Sequence, residues 1–207
     1  MKDYLTVARE YQNELIIKRS RFIATIAPVQ NHESAMIWVL GIKAKCNDAT
    51  HNCYAFISDE LGQEVKFGDD GEPQGTAGQP ILEVLRKNQL FRTAIVVTRY
   101  FGGVKLGASG LVGAYSSSAA GAVSQCEKVM MVYSDWAYIE ADYSLKGKID
   151  AAIIKNEGRI ISTSYTNSVK TELIVPRRNT EHMINMLADI TSGKGEIIIT
   201  KNGYYPY

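Results

Sequence analysis

The chain of 207 residues is long enough for one large domain or for two small ones, each with its own core. Its 23 basic and 22 acidic side chains leave a net charge of +1, which excludes a protein held on nucleic acid or membrane by bulk charge. The chain has neither the apolar core of a signal peptide at its start nor an apolar run that could span a bilayer. We therefore expect a soluble, cytoplasmic protein with no membrane partner.

The first part of the chain predicts strands and then a helix. Residues 11–18 and 20–28 are short runs rich in β-forming side chains. Asn31 then offers an N-cap to a helix whose apolar residues recur at helical spacing. Residues 52–58 and 64–67 predict a strand pair joined by a polar turn.

The middle of the chain predicts a loop, a helix, a strand and a second helix. Residues 68–75 are too rich in Gly and Asp for regular structure, and Thr76 is placed to cap the helix that follows. Residues 93–100 predict a buried strand. After a Gly-rich loop, a helix built from small residues is expected from Ala108 to about Cys126.

From Trp136 the pattern restarts as a compact βαββαβ unit, typical of a ferredoxin-like fold. The predicted strands cover residues 136–142, 159–165, 168–175 and 196–200, and the predicted helices cover residues 145–156 and 180–190. The boundary therefore lies near Ser134. The sequence predicts an α+β protein of two domains, residues 1–134 and 135–207.

The Gly-rich loop after the buried strand is the strongest candidate for a binding site. A strand that ends in a glycine turn and opens a helix presents unpaired N–H groups and the positive end of the helix dipole, which suits phosphates and carboxylates. The candidate anion-binding or nucleic-acid-binding residues are Arg99, Gly102, Gly103, Lys105, Gly107, Ser109 and Gly110. The alternative interpretation assigns the glycines to tight turns and close helix packing.

The charges around this loop are segregated along the chain. Residues 86–126 contain five basic side chains and no acidic one, whereas residues 59–72 contain six acidic side chains and one lysine. This segregation favours a functional, anion-binding interpretation of the loop.

Known nucleotide loops do not match this segment. Gly102 and Gly107 have the spacing of a Walker A loop, but Ala108 stands where the phosphate-binding lysine is required. No dinucleotide-binding glycine pattern opens the helix. Residues 106–110 loosely resemble the phosphate loop of small-molecule kinases of the galactokinase and homoserine-kinase type, so a phosphate-handling enzyme is the alternative function.

Two further features have a functional and a structural interpretation. Asp69, Asp70 and Glu72 could hold Mg²⁺ or act as acid and base, or they could accept backbone hydrogen bonds in a solvated turn. His51 and Cys53 share one face of a predicted strand, so a catalytic dyad is geometrically allowed, although a buried free cysteine is the commoner case.

The three cysteines, Cys46, Cys53 and Cys126, are odd in number and lack metal-type spacing. We expect no disulfide, no zinc, no other bound metal and no cofactor.

Four segments together resemble the YigZ/Impact family, which is linked to translation. They are residues 18–24, 51–53, 69–82 and 98–107, which look like the family's KKSRFIA-type strand, its HNC element and its DDGEPxGTAGxPIL and TRYFGGxKLG signatures. The signature-loop residues carried over are His51, Asp69, Asp70, Glu72, Gln74 and Thr76. The chain departs from the family pattern at Gly113, where an arginine is usual, which removes a positive charge near the helix start.

The resemblance covers the whole chain and implies a first domain similar to domain 2 of ribosomal protein S5 and a second domain similar to domain V of elongation factor G. It implies a general regulatory role in translation and no secure enzymatic activity. The first hypothesis is therefore a non-catalytic protein that binds RNA, the ribosome or a translation-related protein through the basic Gly-rich surface, with Arg99 and Lys105 as its principal charges. The alternatives are the enzyme described above, with a small-molecule phosphate ligand, and a protein-interaction scaffold.

Overall fold

The computed structural model describes residues 1–195 and 197–207, which form two compact units. One unit is Lys2–Met130, and the other is Met131–Tyr207 together with Met1. The division falls within a long strand that also contains Ser134, near which the sequence places the domain boundary. Within the described ranges, no helix is long and apolar enough to cross a bilayer.

The N-terminal unit is a five-stranded antiparallel sheet with helices on both faces. The strands of this sheet are β2 (Tyr11–Ile17), β3 (Ser20–Pro28), β4 (His51–Ile57), β5 (Val65–Gly68) and β6 (Thr93–Tyr100), and the helices are α1 (His32–Lys45), α2 (Gly78–Lys87) and α3 (Ala108–Gln125). A further strand, β1 (Tyr4–Val7), lies outside this sheet. The order in the sheet is β2-β3-β6-β4-β5.

Successive side chains along a strand point to opposite faces of the sheet, so the buried side chains of these strands are divided between its two faces. One face carries Phe22, Ala55 and Val97, which belong to the larger cluster together with buried side chains of α2 and α3. The other face carries Phe56 and Val96 against α1. The register places His51 of β4 opposite Arg99 of β6, on the face that α2 and α3 cover.

Most predicted elements of this unit are confirmed. Strands β3 and β6 have the predicted bounds, and the Asn31 side chain caps α1 by accepting a 2.8 Å hydrogen bond from the Ser34 N–H. Strand β1 was not predicted. It is held in part by a backbone hydrogen bond from Phe91 to Leu5, a contact between segments too distant in sequence for local pattern to indicate.

The C-terminal unit has the predicted ferredoxin-like order of elements. They are β7 (Lys128–Ala141), α4 (Lys146–Lys155), β8 (Arg159–Tyr165), β9 (Val169–Pro176), α5 (Thr180–Thr191) and β10 (Ile197–Pro206). The strand order β10-β7-β9-β8 is antiparallel throughout. The core includes Ile139, Ile153 and Leu187 from the sheet and both helices. The predicted α+β, two-domain fold class is confirmed.

The last strand differs from its prediction at its C-terminal end. The predicted strand begins at Glu196, which lies outside the described residues, and β10 continues past Thr200 to Pro206. Tyr204 and Tyr205 pair with Tyr133 and Val132 of β7, so the aromatic end of the chain is part of the sheet.

Candidate functional site

A pocket of about 420 Å³ lies in the N-terminal unit, where β4 begins, β6 ends and α3 begins. This volume is within the range of small-ligand sites. Its lining residues are Thr50, His51, Glu72, Pro73, Arg99, Phe101, Lys105, Leu106, Gly107, Ala108 and Leu111. The acidic signature loop and the Gly-rich loop therefore share one cleft, which the sequence does not reveal.

Arg99 lines this pocket as a buried, paired charge. Only 5% of the residue is exposed, and its Nη1 donates a 2.6 Å hydrogen bond to Oε1 of Glu72. The guanidinium lies 5.4 Å from the ring centroids of both Phe22 and Phe101. Arg99, which the first hypothesis makes a principal charge of the binding surface, is therefore buried and paired with Glu72, and the sequence shows neither its burial nor its partner.

Glu72 is the central carboxylate of the site. Its Oε1 accepts hydrogen bonds from Arg99 and, at 2.7 Å, from the Tyr115 hydroxyl. Its Oε2 lies 3.9 Å from Nε2 of His51. Burial raises the pKa of the Tyr115 hydroxyl, which keeps that group a donor. The sequence pattern does not mark Tyr115 as a site residue, and its place in a helix of small residues is the only local signal.

The ring orientation of His51 is fixed by a backbone group. Its Nδ1 lies 2.8 Å from the carbonyl oxygen of Asp70. A carbonyl only accepts, so Nδ1 carries the proton and donates. In the neutral imidazole, Nε2 is then an acceptor, and His51 lines the pocket beside Glu72.

Cys53 does not have the properties of a nucleophile. Its side chain is fully buried, and Sγ donates to the Asp69 carbonyl at 2.9 Å and lies 3.3 Å from the Tyr115 hydroxyl. Burial raises the pKa of the thiol to about 12, so the thiolate that attacks substrates is not formed near neutral pH. The geometry supports the structural interpretation of Cys53.

The carboxylates of Asp69 and Asp70 are occupied within the protein. Asp69 accepts backbone hydrogen bonds from Gly75, Ala77 and Gly78 at 2.8 to 3.0 Å. Asp70 accepts from the backbone of Asn52 at 2.6 Å and pairs with Lys43. Residues 1–195 and 197–207 contain no cluster of His, Cys, Asp or Glu that could hold a metal ion.

The predicted cap of α2 is wrong. The helix begins at Gly78 with Ala77 as its N-cap residue, and the Thr76 hydroxyl instead donates to the Pro73 carbonyl. Asp69 accepts the N–H groups of Ala77 and Gly78, so a residue well before the helix does the capping. Gln74 is exposed and is not part of the pocket lining.

The glycines of the Gly-rich loop have different structural roles. A Cβ on Gly102 would lie 2.0 Å from the backbone oxygen of Arg19, so this glycine allows the loop to pack on the β2–β3 turn. Gly107 has φ +78° and starts α3 without a side-chain cap. Ser109 and Gly110 lie in the first turn of α3, outside the pocket lining. The open N–H groups of this turn are the anion-binding feature that the sequence predicts.

Lys105 is the one exposed cation of the pocket lining, and none of the ion pairs within the described residues includes it. Two ion pairs of the described part of the chain, by contrast, join the acidic segment to the basic segment in the fold. Arg92 contacts Glu60 at 2.7 Å, and Arg99 contacts Glu72 at 2.6 Å. The positive character of the pocket therefore comes from Lys105 and the N-terminus of α3.

Comparison with known proteins places these residues in a family. A family model of the Impact N-terminal domain matches residues 18–123, and a model of a domain of unknown function, DUF1949, matches residues 139–194. The chain belongs to the IMPACT family. The two matches cover both units of this IMPACT family protein, and the first includes the whole pocket lining.

Curated relatives match over most of the chain. The IMPACT family member YvyE of Bacillus subtilis is 36% identical over 95% of this chain and 91% of its own length. The IMPACT family member YigZ of Escherichia coli is 32% identical over 88% of this chain and 90% of its own length. A crystal structure titled as that of a hypothetical protein is similar with a TM-score of 0.64 at 30% identity, and the match covers 97% of this chain and 98% of the other.

Proposed function

We propose that this protein is a non-catalytic regulatory protein, linked to translation, that binds RNA through the pocket at the start of α3. Three features of the pocket lining together carry the proposal: the exposed cation of Lys105, the uncapped helix start at Gly107 and the exposed ring of Phe101. Lys105 and the helix start at Gly107 can bind a phosphate, and a nucleobase can stack on the ring of Phe101.

Membership of the IMPACT family supports the wider part of this proposal, because it implies a regulatory, translation-linked function at the level of the family. The site supports the more specific part of the proposal, which is RNA binding through the pocket. Its apolar walls at Leu106 and Leu111 accept the uncharged face of a ligand, while Lys105 and the α3 N-terminus attract its charge. A ribosomal RNA segment, or RNA presented by a translation-related protein, is the expected form of the partner.

The test is fluorescence anisotropy of a short single-stranded RNA with the full chain over a series of salt concentrations. We expect Lys105→Ala to weaken binding about tenfold and to reduce the salt slope by about 1, because one phosphate contact is lost. Phe101→Ala should weaken binding about tenfold or more, with the salt slope unchanged, since stacking is worth about 1–3 kcal/mol per base.

The matched control is Lys87→Ala, which removes an exposed lysine that does not line the pocket. An equal loss in Lys87→Ala, or RNA affinity that does not depend on salt, contradicts the proposal. If an acidic peptide binds with the same dependence on Lys105 and RNA does not, the occupant is a protein carboxylate and the RNA proposal is wrong.

A small-molecule phosphate-handling enzyme is favoured by one observation, which is that Glu72 and Gly107 line the same pocket. It is disfavoured by the carboxylates of Asp69 and Asp70, which are occupied by backbone N–H groups and by Lys43. Magnesium-dependent release of phosphate from nucleotides or sugar phosphates, lost in Glu72→Gln, would replace the binding proposal with this one.

A further inference from the structure

Two hydrogen-bond acceptors of the pocket lining lie side by side without a donor between them. Glu72 Oε2 and His51 Nε2 are 3.9 Å apart, too far for a direct hydrogen bond. The Nδ1 proton of His51 is directed at the Asp70 carbonyl, which leaves Nε2 with its lone pair. Within the described part of the chain, no other side chain or backbone group donates to either atom.

A protonated His51 would not resolve this arrangement well. Glu72 already has a full countercharge, since Arg99 contacts it at 2.6 Å with both side chains almost entirely buried. Even with a proton on Nε2, the 3.9 Å distance to Glu72 Oε2 is too long for a direct hydrogen bond. A neutral ligand group that donates hydrogen bonds satisfies both acceptors without adding charge.

The chemistry of the pocket narrows the identity of that group. Two acceptors at this separation match two adjacent hydroxyls, and a carboxylate is a common partner for a ribose hydroxyl. The same pocket offers Lys105 and the α3 N-terminus for a phosphate and Phe101 for a base. These are the three parts of one ribonucleotide, and the pocket volume of about 420 Å³ is large enough for a ligand of that class.

Building on the proposed function, we propose that His51 and Glu72 recognise the vicinal 2′,3′-diol of a terminal ribose. The pocket is then a site for a ribonucleotide end, with one ribose hydroxyl donating to Glu72 Oε2 and the other to His51 Nε2. Internal nucleotides lack the 3′-hydroxyl, and DNA lacks the 2′-hydroxyl, so the site selects RNA ends over both. Arg99 and Tyr115 act as positioning residues because both donate to the other oxygen of Glu72.

The test compares one short RNA with four different 3′ ends in anisotropy titrations with the full chain. The ends are the free diol, a 2′-deoxyribose, a 3′-deoxyribose and a 3′-phosphate. We expect loss of the hydroxyl bound by Glu72 to weaken binding about tenfold or more and loss of the hydroxyl bound by His51 to weaken it about fivefold, because a hydrogen bond to a charged acceptor is worth more than one to a neutral acceptor. Adenosine 5′-monophosphate and its 2′,3′-dideoxy analogue, used as competitors, distinguish a free nucleotide from an RNA end.

Two variants address the residues directly. His51→Phe keeps a ring of similar shape, and Glu72→Gln keeps the size of the side chain while replacing one acceptor by a donor. Each should bring towards one the ratio of diol affinity to the affinity of the RNA that lacks the hydroxyl bound by that residue, the 3′-deoxy RNA for one variant and the 2′-deoxy RNA for the other, whereas Lys105→Ala should weaken all four RNAs alike. A purely structural role for His51 would lower every affinity and leave the ratio intact, which overturns the assignment.

The outcomes separate this inference from the proposed function. If the wild-type protein binds all four ends equally and still depends on Lys105 and on salt, the diol site is wrong and RNA binding stands. If no RNA and no nucleotide binds, both are wrong. Competition by the mononucleotide, but not by its dideoxy analogue, at affinities equal to those of the RNA supports the diol site and identifies a free nucleotide as the source.

Discussion

At the scale of residues, the site is organised around one buried ion pair. Arg99 and Glu72 are 27 positions apart, and each belongs to a segment in which its own charge sign dominates. Sequence pattern identified both as signature residues, yet it could not show that they neutralise each other. Pairing of this kind depends on the antiparallel register of β4 and β6 and on the path of the acidic loop, which no local property encodes.

We predict that Arg99→Ala destabilises the N-terminal unit by about 3–5 kcal/mol, because it leaves the Glu72 carboxylate buried without its countercharge. The double substitution Arg99→Met with Glu72→Leu should recover most of this loss, since a well-packed apolar pair of similar volume costs little. Urea denaturation followed by Trp38 fluorescence in a Trp136→Phe background measures the unfolding of this unit, because Trp38 lies in α1.

The control is Arg86→Ala, which breaks an Arg–Glu pair on the exposed face of α2. That change should cost less than about 1 kcal/mol, as exposed pairs contribute little. If Arg99→Ala and Arg86→Ala lower the free energy of unfolding equally, then burial does not make the Arg99–Glu72 pair more important for stability than the exposed pair on α2.

At the scale of elements, strands and helices with strong local patterns were predictable, and those held by distant contacts were not. Strand β6 contains the apolar run of residues 94–97, and α1 begins with a capping box at Asn31, so both follow from local sequence. The start of α2 does not, because its N–H groups are accepted by Asp69, nine residues before Gly78. Thr76 has the right residue type for a cap, but its hydroxyl bonds to Pro73.

We predict that Asp69→Ala destabilises the N-terminal unit by about 3 kcal/mol, because three backbone donors at the start of α2 lose a charged acceptor. The same fluorescence-detected urea titration measures the change. Asp59→Ala is the matched control, since Asp59 also accepts two backbone hydrogen bonds but belongs to a turn that starts no helix. A loss in Asp59→Ala as large as that in Asp69→Ala would contradict the capping role.

At the scale of the whole molecule, the two-domain α+β organisation was predictable, but the site was predictable only as separate motifs. The signature segments marked His51, Glu72 and Arg99, whereas the fold brings them to one pocket and adds the buried Tyr115 hydroxyl of α3 as a donor to Glu72. Tyr115 could not be selected because a tyrosine in a helix is usually a core residue. Tertiary structure determines which motif residues contact a ligand and which support the ones that do.

The buried part of this cluster also makes stability depend on pH. Burial raises the pKa of the Cys53 thiol from its ordinary value of 9.0 to about 12, and it raises the pKa of Tyr115 as well. Above pH 9 the unfolded chain releases the thiol proton while the folded protein retains it. The folded state then binds more protons than the unfolded state, so its stability is complete below pH 9 and declines as the pH rises towards 12.

We predict that the N-terminal unit loses about 2 kcal/mol more stability between pH 9 and pH 11 in the wild-type protein than in Cys53→Ser, because each pKa unit corresponds to about 1.4 kcal/mol and serine does not titrate in this range. Serine also retains a donor towards the Asp69 carbonyl. Urea titrations at each pH, followed by Trp38 fluorescence in the Trp136→Phe background, give the two pH profiles, and Cys46→Ser at a half-buried thiol is the matched control. Parallel profiles for the wild-type protein and Cys53→Ser would show that the Cys53 thiol ionises as readily in the folded protein as in the unfolded chain, contrary to its burial between β4 and α3.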